Sequence, residues 1–259
     1  MSAAPLVVYR EGGVVRLELN RPDALNALDV PMARALAQAA GELAADASVR
    51  CVLLQGAGRG FCAGGDLHAM RADPVPVAGA LIEALHAAIV SLCEMRAPVL
   101  ASVHGVVAGA GMSLLLACDL GIAAEGTRFS LAYANIGASC DGSSSWSLPR
   151  VVGLRKALEI ALLGDTFDAA EALRLGLVNR VVAAAEFAVQ ARDLAQRLAD
   201  GPTQAYGEIK RLLRDSQHTG LHAQLQAEAA AFLRSAASAD FQAGLDAIVA
   251  KRAPLFIGR

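Results

Sequence analysis

The chain has 259 residues, of which 55% are hydrophobic and 19% charged, with a formal net charge of −2. So apolar a chain can bury a sizeable core, which excludes disorder, and its length fits one large domain or two small ones. Acidic and basic residues are interspersed, which excludes the basic domain or stripe that nucleic-acid binding requires.

Val7–Tyr9 and Val14–Leu19 read as paired strands about the turn signal Glu11-Gly12-Gly13. Asn20-Arg21-Pro22-Asp23 breaks the second strand. A helix then begins after Asp29 with Pro31 in its first turn, and Met32, Leu36, Ala39, Ala40 and Leu43 recur at helical spacing. Cys51–Leu54 is a short buried strand running into Gly56-Ala57-Gly58-Arg59-Gly60. A helix is expected over Ala78–Met95, ended by Pro98, and a second buried strand over Val99–Val103. The glycine-rich stretch Gly105–Gly111 leads into a short apolar helix, Met112–Ala117. Strand, loop and helix thus occur twice in similar order, which argues for an α/β fold with sheet layers. From Leu154 the pattern is helical, apart from a strand at Leu177–Val182. The last helices cover about Gln204–Arg214, Leu221–Ala237 and Phe241–Ala250, and they suit either a core of their own or a neighbouring subunit.

Met1–Arg10 has no charged segment followed by a long apolar run, so no signal peptide is expected. The most apolar window, Val99–Ala124, contains His104, Asp119 and four glycines, which a membrane span tolerates poorly. The five cysteines are odd in number and lack C-x-x-C spacing. Cys51, Cys93 and Cys118 sit in apolar runs as small hydrophobes, and a reducing, cytoplasmic compartment is expected.

Two glycine-rich loops each follow a buried strand and open a helix: Gly60-Phe61-Cys62-Ala63-Gly64-Gly65-Asp66-Leu67 and His104-Gly105-Val106-Val107-Ala108-Gly109-Ala110-Gly111. Backbone N–H groups point outward at such places, backed by a helix dipole. A dinucleotide site fits poorly, because Leu114 stands at the third glycine position and no acidic residue follows about 20 residues on. A purely structural tight turn is the plainer alternative for either loop alone.

Together the loops resemble the crotonase (enoyl-CoA hydratase/isomerase) superfamily. The resemblance begins at Asn20-Arg21-Pro22-Asp23-Ala24-Leu25-Asn26-Ala27-Leu28. It continues through Gly60–Leu67, Ala97–Gly105, Ala108–Asp119, Phe129–Leu154, Leu163-Gly164-Asp165 and Ala169–Asn179, nearly the whole chain. It implies a crotonase fold, a spiral of β-β-α repeats over residues 1–195, with a C-terminal helical trimerisation region over 196–259. The implied assembly is a homotrimer or a dimer of trimers. The implied ligand is an acyl-CoA thioester, with coenzyme A as part of the substrate and no permanently bound cofactor, metal, nucleic acid or membrane. By motif match, the thioester oxygen accepts hydrogen bonds from the N–H groups of Gly65 and Ala110. Such preoriented amides stabilise an enolate oxygen in a dry site without reorganising. Ala24, Leu25 and Ala27 match the strip that follows the adenine and pantetheine. Ala63, Gly64, Asp66 and Leu67 belong to the first loop's binding surface, and Arg21 is a weaker candidate for the CoA phosphates.

Hydratases of this superfamily use two glutamates, at positions held here by Ser113 and Tyr133. Adding water needs one group to position it and another to deliver a proton, and neither serine nor tyrosine at its ordinary pKa is a good base. A carboxylate reappears at Asp141, within Gly137-Ala138-Ser139-Cys140-Asp141-Gly142. The position matches an aspartate that moves protons in isomerases resembling the phenylacetate-pathway ring isomerase and acts as nucleophile in 4-chlorobenzoyl-CoA dehalogenases. A plainer role for Asp141 is to cap a helix starting near Ser143. His86 matches a dehalogenase histidine but lies on an apolar helix face, where a satisfied structural histidine is more usual. The aromatic residues that the dehalogenase keeps beside it are replaced by Ala84, Leu85, Ala87 and Ala88.

Trp146, close to Asp141 in sequence, reads as core packing or as a pocket wall beside Tyr133. Cys140 has no local histidine and reads as lining. His104 suits a structural hydrogen bond, and no G-x-S-x-G elbow suggests a serine hydrolase. Three functions follow: an enoyl-CoA isomerase with Asp141 as acid and base; an acyl- or aryl-CoA hydrolase or dehalogenase with Asp141 as nucleophile and His86 as base; or a CoA-thioester-binding protein without turnover.

Overall fold

The computed structural model describes residues 4–259. The hairpin forms as expected: β1 (Leu6–Glu11) pairs antiparallel with β2 (Val14–Leu19). A 3₁₀ turn at Pro22–Ala24 leads to α1 (Val30–Ala45), capped by Asp29, whose carboxylate accepts from the Met32 N–H. β3 (Cys51–Gly56) follows, then a short α2 (Leu67–Arg71) and the long α3 (Pro74–Glu94). The helix starts at Pro74 instead of Ala78. Both Pro74 and Pro76 lie in its first turn, where a missing N–H leaves no hydrogen bond unmade.

β4 (Val99–Val103), β5 (Val106–Ala108) and α4 (Ala110–Ala117) complete the next unit. β6 (Leu120–Ala124) and β7 (Arg128–Ser130) come next. The helical part opens with α5 (Ser144–Val152) and α6 (Leu154–Leu163). β8 (Phe167–Asp168), α7 (Ala169–Arg174) and β9 (Arg180–Val182) precede α8 (Phe187–Ala199), α9 (Thr203–Asp215), α10 (Leu221–Ala236) and α11 (Ala239–Val249). β9 is shorter than the apolar run suggests, because the Leu177 N–H is drawn to the Ala172 carbonyl at the end of α7.

Six strands form one sheet in the order β1-β2-β3-β4-β6-β9, parallel from β2 onward. A second sheet, β5-β7-β8, stands beside it. Alternation along β2 divides the cores. Val15, Leu17 and Leu19 enter the main cluster with α1, α3 and α4, while Val14 joins Cys51, Leu53, Leu100 and Ile122 beneath α8. Fully burying a leucine such as Leu17 contributes on the order of 2–3 kcal/mol, which holds register between strands. α3 is long and apolar enough to cross a membrane by composition alone. Here Leu81, Ala84, Leu85, Ala88, Ile89 and Leu92 form its buried stripe, and it packs along α1.

A division at residue 195 would fall inside α8, which packs on the large sheet through Ala191, Leu194 and Ala195. The structural break lies later, at Gly201-Pro202, after α8 ends. α9 is tied back to the sheet: Lys210 and Arg214 pair with Asp119 at 2.7 and 2.9 Å, and Asp119 also accepts from the Val99 N–H.

Candidate active site

The two glycine loops are stitched into one surface. The Cys62 N–H donates to Val106 O, and the Ala108 N–H returns to Cys62 O. A Cβ at Gly111 would lie 2.3 Å from the Cys62 carbonyl oxygen, and one at Gly64 3.3 Å from the Ala108 oxygen. Only glycine permits this approach without displacing backbone. Gly109, at φ +48° and ψ −117°, turns the chain into α4 with no side-chain cap.

Gly65 and Ala110 are therefore neighbours. Neither N–H has an acceptor among the described residues. Ala110 opens α4 and is 3% exposed. It is not among the residues of positive φ, so its methyl group imposes no backbone strain. Two free donors, one of them at a helix N-terminus, can accept an oxygen that gains negative charge.

The 24–27 strip lies on the same surface. The Ala63 N–H donates to Leu25 O, and Leu28 bonds Gly64 and Asp66 through its N–H and C=O. Ala24, Leu25, Ala27 and Ala63 are half-buried, and Leu67 is exposed at the rim. Asn26 was not singled out as a site residue, yet it fastens the strip to the first loop. It is fully buried, donates to Ala57 O and Gly60 O, and accepts from the Arg21 N–H. A polar residue inside Ala24-Leu25-Asn26-Ala27-Leu28 was the available signal.

Arg21 and Asp66 are engaged in architecture. The Arg21 guanidinium pairs with Asp66 at 2.8 Å and Asp29 at 3.2 Å, and donates to Ala27 O. Asp66 caps α2 by accepting from the His68 and Ala69 N–H groups. Burial pushes the Asp66 carboxyl up, but Arg21 and the two N–H donors prevail and hold it below its ordinary range.

Asp141 is brought against the first turn of α4. Its main-chain carbonyl accepts from Ser113 Oγ at 2.8 Å, Ser144 Oγ at 2.8 Å, Tyr133 Oη at 3.4 Å and the Ser144 N–H at 3.2 Å. Ser113, fully buried, also lies 3.1 Å from Tyr133 Oη. Burial above all pushes the Tyr133 phenol further up, with Asp141 nearby adding to it, so Tyr133 stays a neutral donor. Ser113 and Tyr133 thus grip the Asp141 loop. Gly142 fits beneath at φ +58°, where a Cβ would lie 2.8 Å from Ser113 Cβ.

The capping role does not hold for Asp141: the N-cap of α5 is Ser143, whose side chain caps no backbone N–H. The carboxylate instead lies 2.7 Å from Nε2 of His86. His86 is not a satisfied core histidine, since about half of its side chain is exposed and its partner is this carboxylate. Trp146 is neither core nor a wall beside Asp141. It is exposed, lies beneath the Arg150 guanidinium at 4.1 Å, and lines a cavity of about 660 Å³ between the end of α3 and α9. Helical geometry turns it away, five residues past Asp141. His104 makes its structural bond, from Nε2 to Gly58 O at 2.9 Å. All five cysteines are free, and burial pushes the Cys62 thiol up to about 12, which removes it as a nucleophile.

Residues 9–259 match the family model described as enoyl-CoA hydratase/isomerase. The chain belongs to the enoyl-CoA hydratase/isomerase family. It is 38% identical to the 1,2-epoxyphenylacetyl-CoA isomerase of Escherichia coli, over 98% of each chain. It is 34% identical to a 4-chlorobenzoyl coenzyme A dehalogenase of Arthrobacter, over 80% of this chain and 77% of that one. The crystal structure of an enoyl-CoA hydratase from Mycobacterium smegmatis superposes with a TM-score of 0.91 at 34% identity, covering 97% and 98%. The fold is the crotonase fold, with its helical C-terminal region in α9–α11. Family members act on CoA thioesters.

Proposed function

We propose that this chain is an acyl-CoA isomerase that moves a double bond through a thioester enolate. The observation that carries the reading is the placement of Asp141 beside α4 while Ser113 and Tyr133 hold its carbonyl. In this reading the Asp141 carboxylate takes a proton from the acyl chain. The freed electron pair moves into the carbonyl, and the oxygen is received by the N–H groups of Gly65 and Ala110. The protonated carboxyl then returns its proton to a different carbon, and the enolate collapses to the shifted alkene. One carboxylate serves both steps. His86 keeps that carboxylate turned toward the substrate. The CoA portion rests along Ala24–Ala27 and Ala63–Gly64, and no resident cofactor takes part.

The free cysteines accord with a cytoplasmic setting. Exposed Phe232, Leu233, Ile248 and Val249 on α10 and α11 support assembly as a homotrimer or a dimer of trimers.

The His86–Asp141 contact also favours a second reading, in which Asp141 attacks carbon and His86 activates water for hydrolysis. Incubation with enoyl-CoA substrates in D₂O separates the readings. An isomerase incorporates acyl-chain deuterium and shifts the double bond. Accumulation of an acyl- or aryl-aspartate ester at Asp141, without such exchange, would overturn the proposal. A thioester that binds and neither exchanges nor turns over would leave the chain a binding protein.

A further inference from the structure

The large sheet has a second polar region, on the face opposite the main core. Beyond the apolar cluster under α8, the side chains pointing to that face change character toward the carboxyl ends of three adjacent parallel strands. Gln55 on β3 and Ser102 on β4 are paired, Arg16 on β2 stands one step back, level with Leu53, and His104 lies just past β4. They line a cavity of about 230 Å³ closed by the start of α8, with Arg192 at its mouth. Ligands of open α/β sheets bind at such strand ends.

Several polar atoms here are unpaired within the protein. Arg16 Nε and His104 Nδ1 are buried with no hydrogen-bond partner, two of the four such side-chain atoms among the described residues. Ser102 is 3% exposed, lines the cavity, and its hydroxyl has no partner among the described residues. The Phe187 and Ala188 N–H groups, at the first turn of α8, have no carbonyl acceptor among those residues. No carboxylate lines the cavity. Glu18 is occupied by Gln55 Nε2, and Glu11 approaches Arg16 only to 4.0 Å. Unpaired buried donors each cost about 1–3 kcal/mol, so such a set points to an occupant that accepts several at once.

We propose that this cavity binds a small free oxyanion of the phosphate class, held by Arg16, Ser102, Arg192 and the N-terminus of α8. The volume is several times the ~30 Å³ of one liquid water, enough for such an ion. His104 selects among anions. Its Nε2 donates to Gly58 O, and in the tautomer that this bond selects Nδ1 is an acceptor that a hydrogenphosphate O–H satisfies. The same bond connects the cavity to the loop that leads to Gly65. The site takes no part in the proton transfers assigned to Asp141.

Isothermal titration of the full chain with inorganic phosphate, at ionic strength matched with sodium chloride, tests this. One saturable site per chain is expected, unchanged when coenzyme A is present at saturation. Arg16→Gln and Arg192→Gln should each weaken phosphate at least tenfold, while Ser102→Ala should weaken it severalfold. Arg192 is exposed, so its variant leaves the fold intact and keeps the test valid if Arg16→Gln is unstable. Acetate, which lacks the O–H donor at neutral pH, should bind more weakly than phosphate. Absence of saturable binding, displacement of phosphate by coenzyme A, or undiminished affinity in Arg192→Gln would overturn the proposal.

Discussion

Replacing Asp141 with asparagine separates its chemistry from its place in the fold. The main-chain carbonyl would keep its donors from Ser113, Ser144 and Tyr133. The asparagine Oδ1 can still accept from His86 Nε2, now at 2.7 Å from the carboxylate. Shape and local bonding are therefore conserved, and thioester affinity should stay within a few-fold. The base is lost, which typically costs about 10²–10⁴ in rate. At about 1.36 kcal/mol per decade, that is roughly 2.7–5.4 kcal/mol of transition-state stabilisation. The assay is double-bond shift and deuterium incorporation from D₂O, followed by NMR, beside a separate measurement of thioester binding. Turnover near the wild-type rate would refute Asp141 as the base. A loss of affinity as large as the loss of rate would instead make it a binding residue.

Hydration of crotonyl-CoA should be very weak, and Ser113→Glu with Tyr133→Glu should raise it; a wild-type hydration rate equal to its isomerisation rate would contradict the reasoning. Ala110→Pro deletes the N–H and should cost on the order of 3–4 kcal/mol of transition-state stabilisation, provided circular dichroism shows a folded protein. Gly142→Ala places a left-handed alanine against Ser113, so a loss of about 1–3 kcal/mol in denaturant unfolding and a lower kcat are expected. Glu208, hydrogen-bonded first to Arg234 and then to Arg211, is held down to about 2 despite partial burial. Its contribution is fully present above the ordinary glutamate range near pH 4.5 and is lost as pH falls toward 2. Amide exchange in α10 should rise over that window in wild type and show no such step in Glu208→Gln.

The sequence alone determined the class of fold. Helical spacing marks α1 because one face lies in a large core, and β3 and β4 read as unbroken apolar runs because both of their faces are buried. The two glycine loops were legible because close approach of their backbones restricts residue type at Gly64, Gly109 and Gly111 within short segments. β6 was not legible: Leu120-Gly121-Ile122-Ala123-Ala124 prolongs the apolar run of α4, and only pairing with β4 and β9 makes it a strand. The uses of charge were also hidden. Arg21 is spent on Asp29 and Asp66, and Asp119 holds α9, because ion pairs join residues distant in the chain and leave no local pattern. His86 and Asp141 stand 55 residues apart, and Ser113 and Tyr133, distant in the chain, touch each other and both reach the Asp141 carbonyl. The identity of a candidate base is a property of one residue and can be read in sequence. Its orientation is set by contacts among four elements, and only the tertiary structure brings those together.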